Sequence, residues 1–101
     1  GDVAAQLPSL DEELLLRAEA ALAEGNLDRC GSLLAAAEDS ANPRWQLLMG
    51  RLCMARQDWS KAAEQLEQAE YAYPEAVALL ESCFRELGDY KRAYEYACKQ
   101  K

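Results

Sequence analysis

Three tripeptides typical of tight turns recur along the chain at intervals of 32 and 31 residues: Gly25-Asn26-Leu27, Gln57-Asp58-Trp59 and Gly88-Asp89-Tyr90. Glycine readily adopts the left-handed conformation that ends a helix, and Asn or Asp caps the helix that follows. A fixed period of this size indicates repeated units of one supersecondary structure. The chain is therefore predicted to fold as helix–turn–helix units arranged in tandem.

Apolar residues recur at helical spacing between these turns, and no stretch alternates as a strand would. Ser9 and Glu12 form a capping-box pattern, which predicts a first helix from Leu10 to Glu24. The dipeptide Asn42-Pro43 predicts the start of the third helix. The fourth helix is predicted from its cap Asp58 to Tyr73, and Pro74 opens the fifth. We expect an all-α fold with a lead-in at 1–9 and hairpins at about 10–41, 42–73 and 74–101.

The recurring residues resemble the tetratricopeptide repeat (TPR) family over about residues 11–101. The middle unit carries the resemblance through Met49-Gly50, Asp58-Trp59, Ala62, Leu66, Ala69 and Pro74. Three features depart from the pattern: the spacing is shorter than the usual 34 residues or so, Glu81 stands where a small residue is usual, and Cys30 replaces the usual Ala after the first turn. The resemblance implies an α-solenoid in which three hairpins form a right-handed superhelix with a concave groove lined by the first helices.

Transferring the groove positions of that family to this chain predicts a peptide-binding surface consisting of Arg44, Leu47, Leu48, Arg51, Met54, Ser82 and Arg85. Its apolar strip suits a peptide or an amphipathic helix, and its arginines favour acidic residues in the partner. One TPR subgroup grips the terminal carboxylate of heat-shock chaperones, but the corresponding positions here hold Leu15, Glu19, Leu48, Glu75 and Leu79. The same apolar strip is also explained as core, which is the commoner role of such a stripe.

Net charge and hydropathy restrict the partner and the location. The net charge of −7 disfavours nucleic acid, whose recognition needs a basic surface. No apolar run approaches the roughly 20 residues of a membrane-spanning helix, and the start lacks a secretory signal. We therefore expect a soluble, cytoplasmic protein. Because Gly1 replaces an initiator Met, we expect the chain to be part of a longer protein.

The residue types that carry most enzymatic chemistry are scarce in this chain. It has no histidine, and the four cysteines Cys30, Cys53, Cys83 and Cys98 lack the close spacing of a zinc site. Each cysteine fits the helical pattern as a small buried residue. Phosphate loops and nucleophile motifs are absent as well. The sequence predicts a non-enzyme without cofactor or metal.

These observations favour a protein-interaction module that binds a partner segment in its groove and scaffolds an assembly. Two alternatives remain open at this point. Small three-repeat chaperones of bacterial type III secretion resemble this chain in size and wrap a helix of their needle subunit. The chain is also explained as a structural segment of a larger repeat array, with self-association through exposed terminal hairpins.

Overall fold

Six α-helices follow one another in residues 10–100, the part of the chain that the computed structural model describes. They are α1 (Leu10–Ala23), α2 (Leu27–Ala36), α3 (Pro43–Ala55), α4 (Trp59–Ala69), α5 (Glu75–Glu86) and α6 (Tyr90–Lys99). No strand occurs within this range, so the predicted all-α fold of three helical hairpins is confirmed. The lead-in 1–9, with the predicted cap Ser9, lies outside the described residues.

The three hairpins stack in chain order. Helices α1 and α2 form the first hairpin, α3 and α4 the second, and α5 and α6 the third. The stack is held together by contacts of α2 with α3 and of α4 with α5, and the first helices α1, α3 and α5 also contact in sequence. The resulting molecule is elongated, 53 × 26 × 19 Å. None of the six helices is both long and apolar enough to cross a lipid bilayer.

Each hairpin turn has the same backbone geometry. The first residue of the turn has a positive φ: 81° at Gly25, 63° at Gln57 and 79° at Gly88. The next residue donates its backbone N–H to the carbonyl five positions earlier, at 2.9 Å for Asn26 and 2.8 Å for Asp58 and Asp89. This is a Schellman closure, which satisfies the last carbonyls of the first helix. The prediction that the repeated tripeptides end one helix is confirmed.

The middle residue of each turn also starts the second helix. The side chains of Asn26, Asp58 and Asp89 accept hydrogen bonds from the backbone N–H three residues later, at 3.1, 3.4 and 3.2 Å. Asn42 caps α3 in a similar way, at 2.8 Å to the N–H of Arg44. The fourth helix is shorter than predicted, because α4 ends at Ala69 rather than Tyr73. A residue that precedes proline avoids the α conformation, and Tyr73 precedes Pro74.

Two core clusters divide the interior, and α3 contributes to both. The first cluster lies between the first hairpin and α3: Leu15, Ala18, Ala21, Cys30, Leu34, Leu48 and Leu52. The second joins the second and third hairpins: Leu47, Ala62, Ala63, Leu66, Ala69, Ala76, Leu80, Cys83, Phe84 and Ala93. Because adjacent residues of α3 belong to different clusters, this helix is buried on two sides.

A close backbone approach sets the crossing of α3 and α4. A Cβ atom on Gly50 would lie only 2.6 Å from Cγ of Leu66, a side chain that is fully buried. The third hairpin uses a different pair at the corresponding positions, Glu81 and Ala97. The carboxylate of Glu81 accepts a hydrogen bond from Gln100 and pairs with Arg85. The unexpected Glu81 is thus accommodated by a smaller residue on the facing helix and by polar partners.

The outer face of α6 differs from the faces on which hairpins dock. The second helix of each of the first two hairpins has a small residue that faces the following hairpin. These residues, Gly31 and Ala63, occupy equivalent positions of the repeat. The corresponding residue of α6 is Tyr94, which is 71% exposed, and Tyr90 one turn earlier is 70% exposed. The third tyrosine of this helix, Tyr96, instead stacks on Phe84 with ring centroids 5.6 Å apart.

Replacing Gly50 with alanine should destabilise the protein by about 1–3 kcal/mol, because the added methyl group overpacks a site that cannot relax. Gly31→Ala is the matched control, since its nearest neighbour is the flexible end of Arg56 at 3.2 Å. We expect the control to stay within about 1 kcal/mol of the wild type. Urea unfolding followed by circular dichroism measures both changes; equal effects of the two substitutions would contradict the close approach.

Replacing Gln57 with glycine should raise the free energy of unfolding by about 0.5–1 kcal/mol. A side chain in the left-handed region costs about 1–2 kcal/mol, and the greater entropy of glycine in the unfolded chain offsets part of that relief. The same change at Gln65, within α4, should lower stability by about 1 kcal/mol. Thermal melts of both variants test the difference, and a loss of stability in Gln57→Gly would count against the turn geometry.

Candidate functional site

A concave pocket of about 250 Å³ lies where the first helices of the three hairpins meet. Its lining comes from α1, α3, the start of α5 and the segment before α5: Glu19, Arg44, Leu47, Leu48, Arg51, Tyr73 and Glu75. Four residues of the predicted peptide-binding surface are brought together here, all from α3. They share one face of that helix because positions three, four and seven apart lie side by side.

The apolar part of the pocket is its floor. Leu47 is 5% exposed and Leu48 is 2% exposed, and they belong to different core clusters. Most of the surface of these two leucines is therefore buried in the core, in agreement with the interpretation of the apolar strip as core. What remains accessible is a narrow apolar base at which a bound side chain would end.

The rim of the pocket carries an ion pair between two helices. The guanidinium of Arg44 on α3 contacts the carboxylate of Glu19 on α1. The side chains of these residues remain 36% and 50% exposed, so the pair adds little to stability, typically about 0.2–1 kcal/mol for exposed pairs. Its main effect is to neutralise one positive and one negative charge at this edge of the pocket.

Arg51 has no such partner. Its side chain is half-buried and lines the pocket. Among residues 10–100, its guanidinium forms neither an ion pair nor a hydrogen bond. A guanidinium carries five donors and keeps its charge at any physiological pH. Arg51 is therefore a positive group within the pocket whose bonding capacity is left to solvent or a ligand.

The other three predicted binding residues do not line this pocket. Met54 packs against the second core cluster. Ser82 donates its hydroxyl to the carbonyl oxygen of Ala78 at 3.4 Å, and Arg85 pairs with Glu81 on its own helix. Ser82 and Arg85 lie further along α5, which reaches the pocket only through its first residue, Glu75.

Tyr73 and Glu75 complete the pocket, although sequence reasoning did not assign them to peptide binding. Tyr73 follows the end of α4, packs against the second core cluster and is half-buried at the pocket. The signal that could have indicated this was the following Pro74, which disfavours helix at Tyr73. Glu75 is the first residue of α5.

Comparison with known proteins finds similarity over part of the chain. Lipopolysaccharide assembly protein B of Escherichia coli (strain K12) is 34% identical over 73 residues, which cover 66% of this chain and 19% of that protein. The protein of the same name from Escherichia coli O157:H7 gives the same identity and coverage. The chain thus spans about a fifth of the length of the curated relatives that it matches. No protein-family model matches the chain, and no solved structure matches it significantly.

The four cysteines are free thiols. Burial raises the pKa of Cys30 and of Cys53, and it raises the pKa of Cys83 to about 11, with a smaller contribution from Cys53. A raised pKa keeps a thiol protonated, and the protonated form is a poor nucleophile and metal ligand. Within the described residues, no three cysteine or carboxylate side chains are placed to hold a metal ion together. Cys98 is exposed, contrary to the expectation that every cysteine is buried.

Alkylation should therefore distinguish the four thiols. At pH 8 a thiol of pKa about 11 is ionised to about 0.1%, so Cys83 should react slowest with iodoacetamide, and the exposed Cys98 fastest. Mass spectrometry of digests taken over time measures the four rates, and unfolding in urea should make them nearly equal. Equal rates for Cys83 and Cys98 in the folded protein would contradict the burial described above.

Proposed function

We propose that this chain is a protein-interaction module that binds a segment of a partner protein in the concave pocket and thereby holds the partner in an assembly. The observation that carries the proposal is the pocket itself. It combines a narrow apolar base, Leu47 and Leu48, with a guanidinium, Arg51, that has no partner in the described chain. Pockets for protein segments combine such apolar anchoring points with a few polar groups that fix orientation.

The frame around the pocket suits recognition by a preformed surface. Leu47 and Leu48, at the base of the pocket, belong to the two core clusters. The lining residues lie on or next to α1, α3 and α5, and α3 contacts both of the other helices. Binding to such a surface requires little reordering of the module, so less of the interaction free energy is lost on association. The segment that binds would run across α3 between α1 and α5.

The proposal assigns binding and no chemical step to the module. The lining contains no histidine, serine or cysteine, the residue types that most often act as general bases or nucleophiles. One of the two carboxylates of the lining, Glu19, is occupied by an arginine. The charged groups of the pocket are thus suited to orienting a ligand by equilibrium binding.

The similarity to Lipopolysaccharide assembly protein B supports a role in assembly. The shared segment is a minor part of that protein, as an interaction module in a larger assembly factor would be. On this basis we place the chain, as part of the same proposal, in the assembly of lipopolysaccharide.

Photocrosslinking at two matched positions tests the proposal. A benzoylphenylalanine residue replaces either Glu75, at the pocket, or Glu64, which lies on a different surface between α4 and the third hairpin. Each protein is added to lysate of the source cells, irradiated, and its adducts are identified by mass spectrometry. We expect one partner to be crosslinked from position 75 and not from position 64, through a contiguous segment of its chain.

The adduct should disappear when excess unmodified protein is added, and both variants should keep the circular dichroism spectrum of the wild type. Crosslinking of the same partner with equal yield from both positions would contradict binding in the pocket. Absence of a specific adduct at position 75 would contradict the proposal as a whole.

A further inference from the structure

Some charged groups that line the pocket form ion pairs and others do not, and this difference indicates what the pocket recognises. Resting on the proposed function, we propose that the bound segment inserts an acidic side chain, Asp or Glu, whose carboxylate pairs with Arg51. The occupant is thus a protein segment that carries an internal acidic residue beside an apolar one. The argument has three parts: the charge balance of the lining, the position of Arg51 on α3, and the continuity of the surface on both sides of it.

Of the four charged residues of the lining, two form no ion pair within residues 10–100, Arg51 and Glu75. Arg44 and Glu19 neutralise each other. Glu75 lies in the first turn of α5, where the partial positive charge of a helix N-terminus stabilises a carboxylate. Arg51 lies within α3 just before its last turn, and it has no acidic partner among residues 10–100. A carboxylate is the ligand that a guanidinium binds most strongly, often through two parallel hydrogen bonds.

The position of Arg51 places this carboxylate next to the apolar base. Arg51 follows Leu47 by four residues and Leu48 by three, so all three lie on one face of α3. An acidic side chain that reaches Arg51 would therefore lay its own methylene groups, and an apolar neighbour in the segment, against these leucines. Because Arg51 is half-buried, the ion pair would be less screened by water than a pair on the open surface.

The continuity of the lining favours an internal acidic residue over a terminal carboxylate. Glu19 of α1 lies on one side of α3 in the pocket, and Tyr73 and Glu75 lie on the other. A segment laid across α3 would continue past Arg51 in both directions and make contacts on each side. A chain terminus anchored at Arg51 would leave one of these sides unused.

Selection from a peptide library tests the inference. Random 16-residue peptides are displayed with both ends fused to carrier protein, so that no terminal carboxylate is available. The immobilised baits are the wild type, Arg51→Glu, and the charge-matched control Arg29→Glu, on the exposed surface of α2. We expect the wild type and the control to enrich peptides with Asp or Glu at a fixed distance from an apolar residue. Arg51→Glu should instead enrich Lys or Arg at that position.

The affinity of the enriched peptide is then measured by fluorescence polarisation. We expect Arg51→Glu to weaken binding at least about tenfold, with no change in the control. Arg51→Gln removes the charge with little change in size, and it should lose the acidic preference even if the charge reversal impairs folding. Unchanged affinity in both Arg51 variants would overturn the acidic anchor while leaving pocket binding intact.

Two further outcomes separate this inference from the proposed function. If only peptides with a free C terminus bind in a second library, the ligand is a terminal carboxylate and the internal acidic residue is overturned. If the wild type enriches no peptide from either library while position 75 crosslinks a partner in lysate, the acidic anchor is overturned and the proposed function stands. If neither experiment gives a ligand, the proposed function fails as well.

Discussion

The rest of the structure depends on a backbone constraint at the three hairpin turns, where only three residues separate the end of one helix from the start of the next. A positive φ at Gly25, Gln57 and Gly88 turns the chain back, and the following Asn or Asp closes one helix while capping the next. This sharing of one residue between two helix ends brings the paired helices into immediate contact. The pairing of the two helices in each hairpin follows from these turns.

Close contact within the hairpins is achieved by pairing small with large side chains. The second hairpin sets Gly50 against Leu66, and the third places Glu81 and Ala97 at the corresponding positions. The exchange of sizes between facing helices preserves the volume that fills the crossing, and volume-conserving changes are the ones that a core tolerates. The third hairpin thereby acquires a polar group that the second lacks, and this group pairs with Arg85 on the same helix.

Helix α3 lies at the centre of the molecule, contributes to both core clusters and supplies most of the pocket lining. Leu47 and Leu48 are drawn into two different cores, which leaves the face between them turned toward the concave side with Arg44 and Arg51. One of these arginines is neutralised by α1, and the other keeps its capacity for a ligand. In the proposed function, specificity would depend on where the partner places a charge relative to an apolar side chain.

The sequence by itself determined the local structure of this protein, because turns, caps and helical spacing are set by residues within about one or two helical turns of each other. It therefore predicted the six helices and the three turns, and four residues of its predicted peptide-binding surface, all on α3, line the pocket. Only the tertiary structure decided which side chains share the pocket. Tyr73 lines it, while the predicted residues Met54, Ser82 and Arg85 do not. Such outcomes depend on contacts between hairpins and on competing partners, which no local pattern encodes.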